Sequence, residues 1–101
     1  MTDRELIRQI KKAIGEVDPS AEALLYGSRA RGQAGPESDW DLVILLSIPV
    51  TEEIKRTIRH RLYEIEWETG EVISSIVYSR AEWNHTTPFR ERVRREAVRL
   101  W

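Results

Sequence analysis

Two aspartates separated by one residue, Asp39 and Asp41, are the most informative pair in the chain. They stand directly before an apolar run, Leu42 to Leu46, that reads as a strand. Side chains two apart on a strand project to the same side, so a strand beginning near Ser38 would aim both carboxylates from its mouth. Like charges held that close drive a carboxylate toward protonation unless a cation lies between them. Mg²⁺ suits such a pair, because it prefers oxygen ligands and is usually held by one or two carboxylates together with substrate phosphates. The alternative makes Asp39 a turn residue and Asp41 an exposed strand end.

A second feature lies on the strand before. The run Leu24 to Tyr26 stops at Gly27-Ser28, and glycine there permits a tight turn and close backbone approach. The N–H groups that follow, with the Ser28 hydroxyl, can hold phosphate oxygens at a helix start, and Arg29 and Arg31 add positive charge beside the same turn. Arg31 has a second reading, as the anchor of the loop after it. A phosphate cradle and a metal-binding carboxylate pair on neighbouring strand ends point to phosphoryl or nucleotidyl transfer. A P-loop is ruled out: Gly27 and Gly32 have its glycine spacing, but Gln33 and Ala34 stand where Lys and Ser/Thr are required.

The segment Y-G-S-R-A-R-G-Q-A-G-P-E-S-D-W-D-L-V-I, Tyr26 to Ile44, resembles the signature of the minimal nucleotidyltransferases, small members of the polymerase-beta-like superfamily. Gly27, Ser28, Arg29, Arg31, Gly32, Ser38, Asp39, Asp41 and Leu42 are all in place. The resemblance implies Mg²⁺-dependent transfer of a nucleoside monophosphate, AMP from ATP being the expected case, to a hydroxyl acceptor with loss of pyrophosphate. It also implies a partner, since family members of this size are frequently paired with a small helical protein in toxin–antitoxin modules. There they act as antitoxin, in some cases by adding AMP to a partner tyrosine. The superfamily normally supplies a third carboxylate from the third strand, yet Ser74 and Ser75 stand where many relatives carry it. Glu71 is the one acid on that strand, and counting by twos sets Ser75 on its face. Either Glu71 reaches inward as a third metal ligand, or the site has two carboxylates. A degenerate module that binds nucleotide or partner without turnover is the competing function.

Composition narrows the setting. With 101 residues, 41% hydrophobic and 33% charged, residues 1–101 are expected to form one domain around one core. Sixteen basic residues against 17 acidic give a net charge of −1 and no case for non-specific nucleic-acid binding, so any such contact would be local. Absence of cysteine removes disulfides, thiolate zinc sites and cysteine nucleophiles. The segment Met1 to Arg8 is charged, and no apolar run approaches the roughly 20 residues of a membrane span, which makes the cytoplasm the expected location.

The elements that must position these residues follow from periodicity and caps. Thr2-Asp3-Arg4-Glu5 has capping-box form, and Leu6, Ile10 and Ile14 recur at helical spacing over Asp3 to Gly15. A strand over Ala21 to Tyr26 delivers Gly27, a short helical turn spans Ser28 to Arg31, and a mobile loop punctuated by Gly35 and Pro36 runs from Gly32 to Glu37. Trp40, between the aspartates, faces the other side of its strand, toward core or an interface. Thr51 caps a long helix with the stripe Ile54, Ile58, Leu62 and Ile65, ending before Gly70. Tyr63 and Trp67 flank that stripe, to cover the sheet edge or to meet a partner, and His60 reads as a solvated residue. Glu71 to Tyr78 reads as the third strand, Ser79 to Glu82 as a second capping box, and Thr87-Pro88 as the start of a last helix. Phe89, Val93, Ala97 and Leu100 would form its stripe, and its other face, with Arg90, Arg92, Arg94, Arg95 and Arg99 relieved by Glu91 and Glu96, reads as solvated before it reads as a surface for an acidic or nucleic-acid partner. The fold expected is α/β: a small mixed, mostly antiparallel sheet flanked by helices, built as in the polymerase-beta-like nucleotidyltransferases.

Overall fold

The run Leu42 to Leu46 is buried on both faces, and the other elements are arranged around it. A computed structural model describes residues 2–35 and 38–101. Along the chain it has α1 (Asp3–Gly15), β1 (Glu22–Tyr26), the single turn α2 (Gly27–Ala30), β2 (Trp40–Leu46), α3 (Glu52–Thr69), β3 (Ile73–Ser79), α4 (Arg80–Trp83), α5 (Pro88–Glu96) and β4 (Val98–Arg99). Of the loop expected over Gly32 to Glu37, Pro36 and Glu37 lie outside the described residues.

Among the described residues, four strands form one sheet in the order β3-β2-β1-β4. β1 runs antiparallel to β2 and β4, whereas β2 and β3 are parallel. A parallel pair needs a crossover connection, and α3 supplies it. The result is the mixed, mostly antiparallel α/β architecture expected.

Each helix is placed by its apolar stripe and started by its cap. The Thr2 hydroxyl accepts from the Glu5 N–H at 3.1 Å, and Leu6, Ile10 and Ile14 of α1 are buried. Thr51 does the same for α3 through Ile54, burying Ile58, Leu62 and Ile65, and Gly70 ends that helix in left-handed geometry at φ 76. These residues pack with Trp40, Leu42, Ile44 and Leu46 on one side of the sheet. On the other side Val43 and Leu45 meet Trp83 of α4 and Val93 of α5. Ser79 and Glu82 complete a reciprocal capping box, and Thr87 caps α5 with Pro88 in its first turn. Trp40 is a core residue, while Tyr63 and Trp67 are exposed, at 58% and 81%.

The C-terminus corrects the sequence reading. The stripe Phe89, Val93, Ala97, Leu100 predicts one helix to the end, but α5 stops at Glu96 and the chain turns extended at Ala97. Leu100 then donates its N–H to the Ala23 carbonyl at 2.9 Å, and Ala23 donates to the Trp101 carbonyl at 3.3 Å. Trp101 Nε1 also donates to the Ala21 carbonyl at 3.1 Å. Without this segment β1 would be a bare edge of unpaired backbone groups, and pairing that edge outweighs another helical turn.

Asp18, in the connection between α1 and β1, is the one buried charged residue among those described. Its carboxylate accepts the Ser47 N–H at 2.7 Å, the Ser47 hydroxyl at 2.9 Å and the Ser20 N–H at 3.0 Å, tying the end of β2 to the α1–β1 connection. Burial pushes its pKa up, but these hydrogen bonds to the charged form prevail and hold it below the ordinary value of 3.8. Because the folded pKa is lowered, the carboxylate's contribution is complete above pH ~4 and is lost as pH falls through the folded value. We therefore expect Asp18→Ala to cost about 1–3 kcal/mol at pH 7, since it strands buried donors. The gap between parent and variant, followed by urea denaturation, should close on acidification below pH ~4; a gap unchanged at low pH would contradict this account.

Candidate active site

A cleft of about 440 Å³ opens where β1 ends and β2 begins. It is lined by Tyr26, Gly27, Ser28 and Arg31 around the turn, by Asp41 of β2, and by Arg92 and Glu96 of α5. Tyr26 and Asp41 are partners in the antiparallel ladder, which brings the glycine turn against the acidic strand mouth. Gly27 has φ 75, and a Cβ built there would lie 2.4 Å from Asp41 Oδ2. Only a residue without a side chain lets that carboxylate sit where it does.

Asp39 stands exposed just before β2. The Asp41 carboxyl is pushed above its ordinary range, by burial first and then by the charge of Asp39, with Arg31 opposing. The repulsion that Asp39 exerts on the Asp41 carboxylate is one that a divalent cation between them would relieve. Among the described residues, however, no group of three His, Cys, Asp or Glu side chains is placed to hold a metal.

Ser28 is the second residue of α2, whose N-cap, Tyr26, makes no side-chain capping bond. Arg31 lines the cleft and donates to Gln33 Oε1 at 3.1 Å and to Glu96 Oε2 at 3.0 Å, so it reaches both the following loop and α5. Arg29, expected in the cradle beside Ser28, is engaged elsewhere. Its Nε and Nη2 donate to the Ser38 carbonyl at 3.0 and 2.8 Å, its guanidinium lies 4.4 Å from the Trp40 ring centroid, and its side chain is 13% exposed. A guanidinium over an aromatic ring and a forked pair of bonds suit arginine's chemistry, and they hold the entry to β2.

Glu71 is likewise engaged elsewhere. It accepts from Trp40 Nε1 at 3.3 Å and lies 3.7 Å from Arg29 Nη2, on the Trp40 side of the sheet. Alternation along β2 sends Asp41 to the opposite side, so a third-ligand role for Glu71 does not fit this geometry. Counting by twos along β3 is right, but the face it selects is the wrong one. Ser75 pairs with Leu42 and lines a hollow with Lys55 and Arg59 of α3, whereas Ser74 pairs with Asp41 and shares its face. The strand position beside Asp41 is thus a serine.

Arg92 and Glu96 are cleft residues the sequence reading missed, having been assigned to a solvated helical face. No spacing rule links them to Gly27 or Asp41. The one local hint is Glu96 itself, an acid in the last turn of a helix, where the macrodipole disfavours negative charge.

A mixed sheet with an acidic strand mouth set against a glycine turn is a framework suited to polyphosphate chemistry. The chain belongs to the nucleotidyltransferase domain family, whose model matches residues 7–99. No curated protein matches it in sequence. Among solved structures, it is similar to a toxin–antitoxin structure with AMP-PNP, with TM-score 0.69 and 17% identity over 94% of this chain and 72% of that one. It is also similar to a mutant MntA–HpeT toxin–antitoxin structure in which two aspartates are replaced by glutamate, with TM-score 0.66 and 14% identity over 100% of this chain and 73% of that one.

Gly27→Ala tests the contact at the centre of the cleft. It should cost about 1–3 kcal/mol in thermal or urea denaturation, from positive-φ strain and displacement of the Asp41 carboxylate. Asp41→Asn should leave stability unchanged or higher in metal-free buffer near neutral pH. Its raised folded pKa means that the ionised carboxylate is disfavoured by the fold there. A substantial loss for Asp41→Asn would make the carboxylate a structural anchor.

Proposed function

We propose that this chain is a Mg²⁺-dependent nucleotidyltransferase that moves a nucleoside monophosphate, AMP from ATP, to a hydroxyl on a small helical partner protein within a toxin–antitoxin pair. The 101 residues would act as one catalytic domain in the cytoplasm. The observation that carries the reading is the seating of Asp41 on Gly27, which joins a metal-type carboxylate and a phosphate-type turn in one cleft.

Asp39 and Asp41 would hold the metal. When bound, Mg²⁺ would offset triphosphate charge as pyrophosphate departs. The Gly27 amide and Ser28 would hold the β and γ phosphates, with Arg31 adding charge at the cleft wall. Arg29 would contribute indirectly, by fixing the strand entry that carries Asp39. The solved neighbour with AMP-PNP supports a nucleotide ligand, and both neighbours support a protein partner. Tyr63 and Trp67, exposed on α3, are apolar surface such a partner would cover.

A second reading, a domain that binds nucleotide or partner without turnover, is favoured by Ser74. It occupies the position beside Asp41 where an acid would activate the acceptor hydroxyl. The two readings separate by experiment. Asp39→Asn and Asp41→Asn should each abolish Mg²⁺-dependent binding of an ATP analogue in titration calorimetry while the fold survives; retained affinity in either would refute the metal site. Parent protein mixed with its partner should release pyrophosphate, and Ser74→Asp should raise that release. Binding without release in the parent, turned on by Ser74→Asp, would establish the binding module instead.

A further inference from the structure

Glu96 reaches two arginines with its two oxygens: Oε2 is 3.0 Å from Arg31 Nη1 and Oε1 is 4.0 Å from Arg92 Nε. All three side chains line the cleft that also contains Gly27, Ser28 and Asp41. We propose that Arg31 and Arg92 form the clamp for a polyphosphate chain in this cleft. Glu96 occupies that clamp in the ligand-free protein as an internal stand-in for phosphate. The inference rests on the triphosphate reading above and extends it to residues of α5.

Three other arginines, Arg29 near the cleft and Arg90 and Arg94 on α5, are engaged by the fold. Arg29 is held by Ser38, Trp40 and Glu71. Arg90 donates to the Glu82 and His85 carbonyls at 2.6 and 2.8 Å and lies over Tyr78, and Arg94 donates to the Trp83 carbonyl and lies over the Trp83 ring. Those three guanidiniums hold the fold together. Arg92 is the α5 arginine that lines the cleft, with its guanidinium 6.0 Å from the Phe89 ring centroid, and Phe89 packs edge-on against Tyr26 at 5.7 Å, next to Gly27. Phosphate oxygens turned away from a metal at Asp39 and Asp41 would therefore meet cations from Arg31 and Arg92.

Glu96 is poorly placed for helix stability, because an acid in the last turn opposes the macrodipole. What holds it is the pair of guanidiniums. Its ion pairs are exposed on the arginine side, with Arg31 at 46% and Arg92 at 63% exposure, and such pairs add little net stability. A polyphosphate offers several charge-assisted contacts where one carboxylate offers two, so exchange favours the ligand. Glu96 then repels it and lowers its affinity.

The test is calorimetric titration of the full chain with two probes: inorganic tripolyphosphate without metal, and a non-hydrolysable ATP analogue with Mg²⁺. Arg92→Gln should weaken both by roughly tenfold, as loss of one charge-assisted contact predicts. Glu96→Gln should tighten both several-fold, a gain that misfolding cannot produce. In the Arg92→Gln background the gain from Glu96→Gln should be smaller, because only Arg31 is left to free. Weaker binding by Glu96→Gln, or unchanged binding by Arg92→Gln, would overturn the clamp. If the parent binds the Mg²⁺ analogue, Asp41→Asn abolishes that binding and Arg92→Gln does not alter it, the nucleotidyltransferase reading stands and the clamp alone falls. A parent that binds neither probe would remove both.

Discussion

The Asp41 carboxylate lies against Gly27, at a distance no side chain on that residue would permit. The rest of the site depends on this contact. It requires β1 to end in a positive-φ turn at the ladder position where β2 presents its second aspartate, so the antiparallel register of β1 and β2 is what builds the cleft. A slip of one residue would send Asp41 to the α1–α3 side and bring Trp40 or Leu42 into the cleft.

That register is held by burial. Leu42, Ile44 and Leu46 face α1 and α3, while Val43 and Leu45 face α4 and α5, so no apolar residue of β2 has a solvent-facing alternative. Asp18 at one end and Arg29 at the other fix the strand's exit and entry with charge-assisted hydrogen bonds, to Ser47 and Ser38 respectively. The acidic mouth of β2, with Asp39 exposed and Asp41 half-buried, is therefore a self-repelling feature on a strongly anchored strand. Electrostatic cost at the site is carried by packing elsewhere, as expected where ligands are to be held by preorganised groups.

Arginine serves two purposes in this small chain. Arg29, Arg90 and Arg94 lie over the rings of Trp40, Tyr78 and Trp83 and donate to backbone carbonyls, so they serve the fold. Arg31 and Arg92 keep their charge at the cleft, balanced by one glutamate. A count of basic residues does not separate these groups; their neighbours do.

Local rules were enough for much of this. Thr2, Thr51, Ser79 and Thr87 marked helix starts, Gly70 marked a stop, and the period-two and period-3.6 stripes assigned the core faces, because each depends on residues within a few positions of one another. The Gly27-Ser28 turn and the Asp39–Asp41 pair were legible for the same reason. Tertiary structure decided what depends on distant segments. The edge of β1 recruits Val98 and Arg99 as a strand where helical spacing predicted α5 to continue. The parallel register of β3 puts Ser74, and neither Ser75 nor Glu71, beside Asp41. Arg29 passes to a structural role, and Arg92 with Glu96 arrives at the cleft, because docking of α5 across the sheet joins residues more than sixty positions from the turn they face, a separation no local pattern encodes.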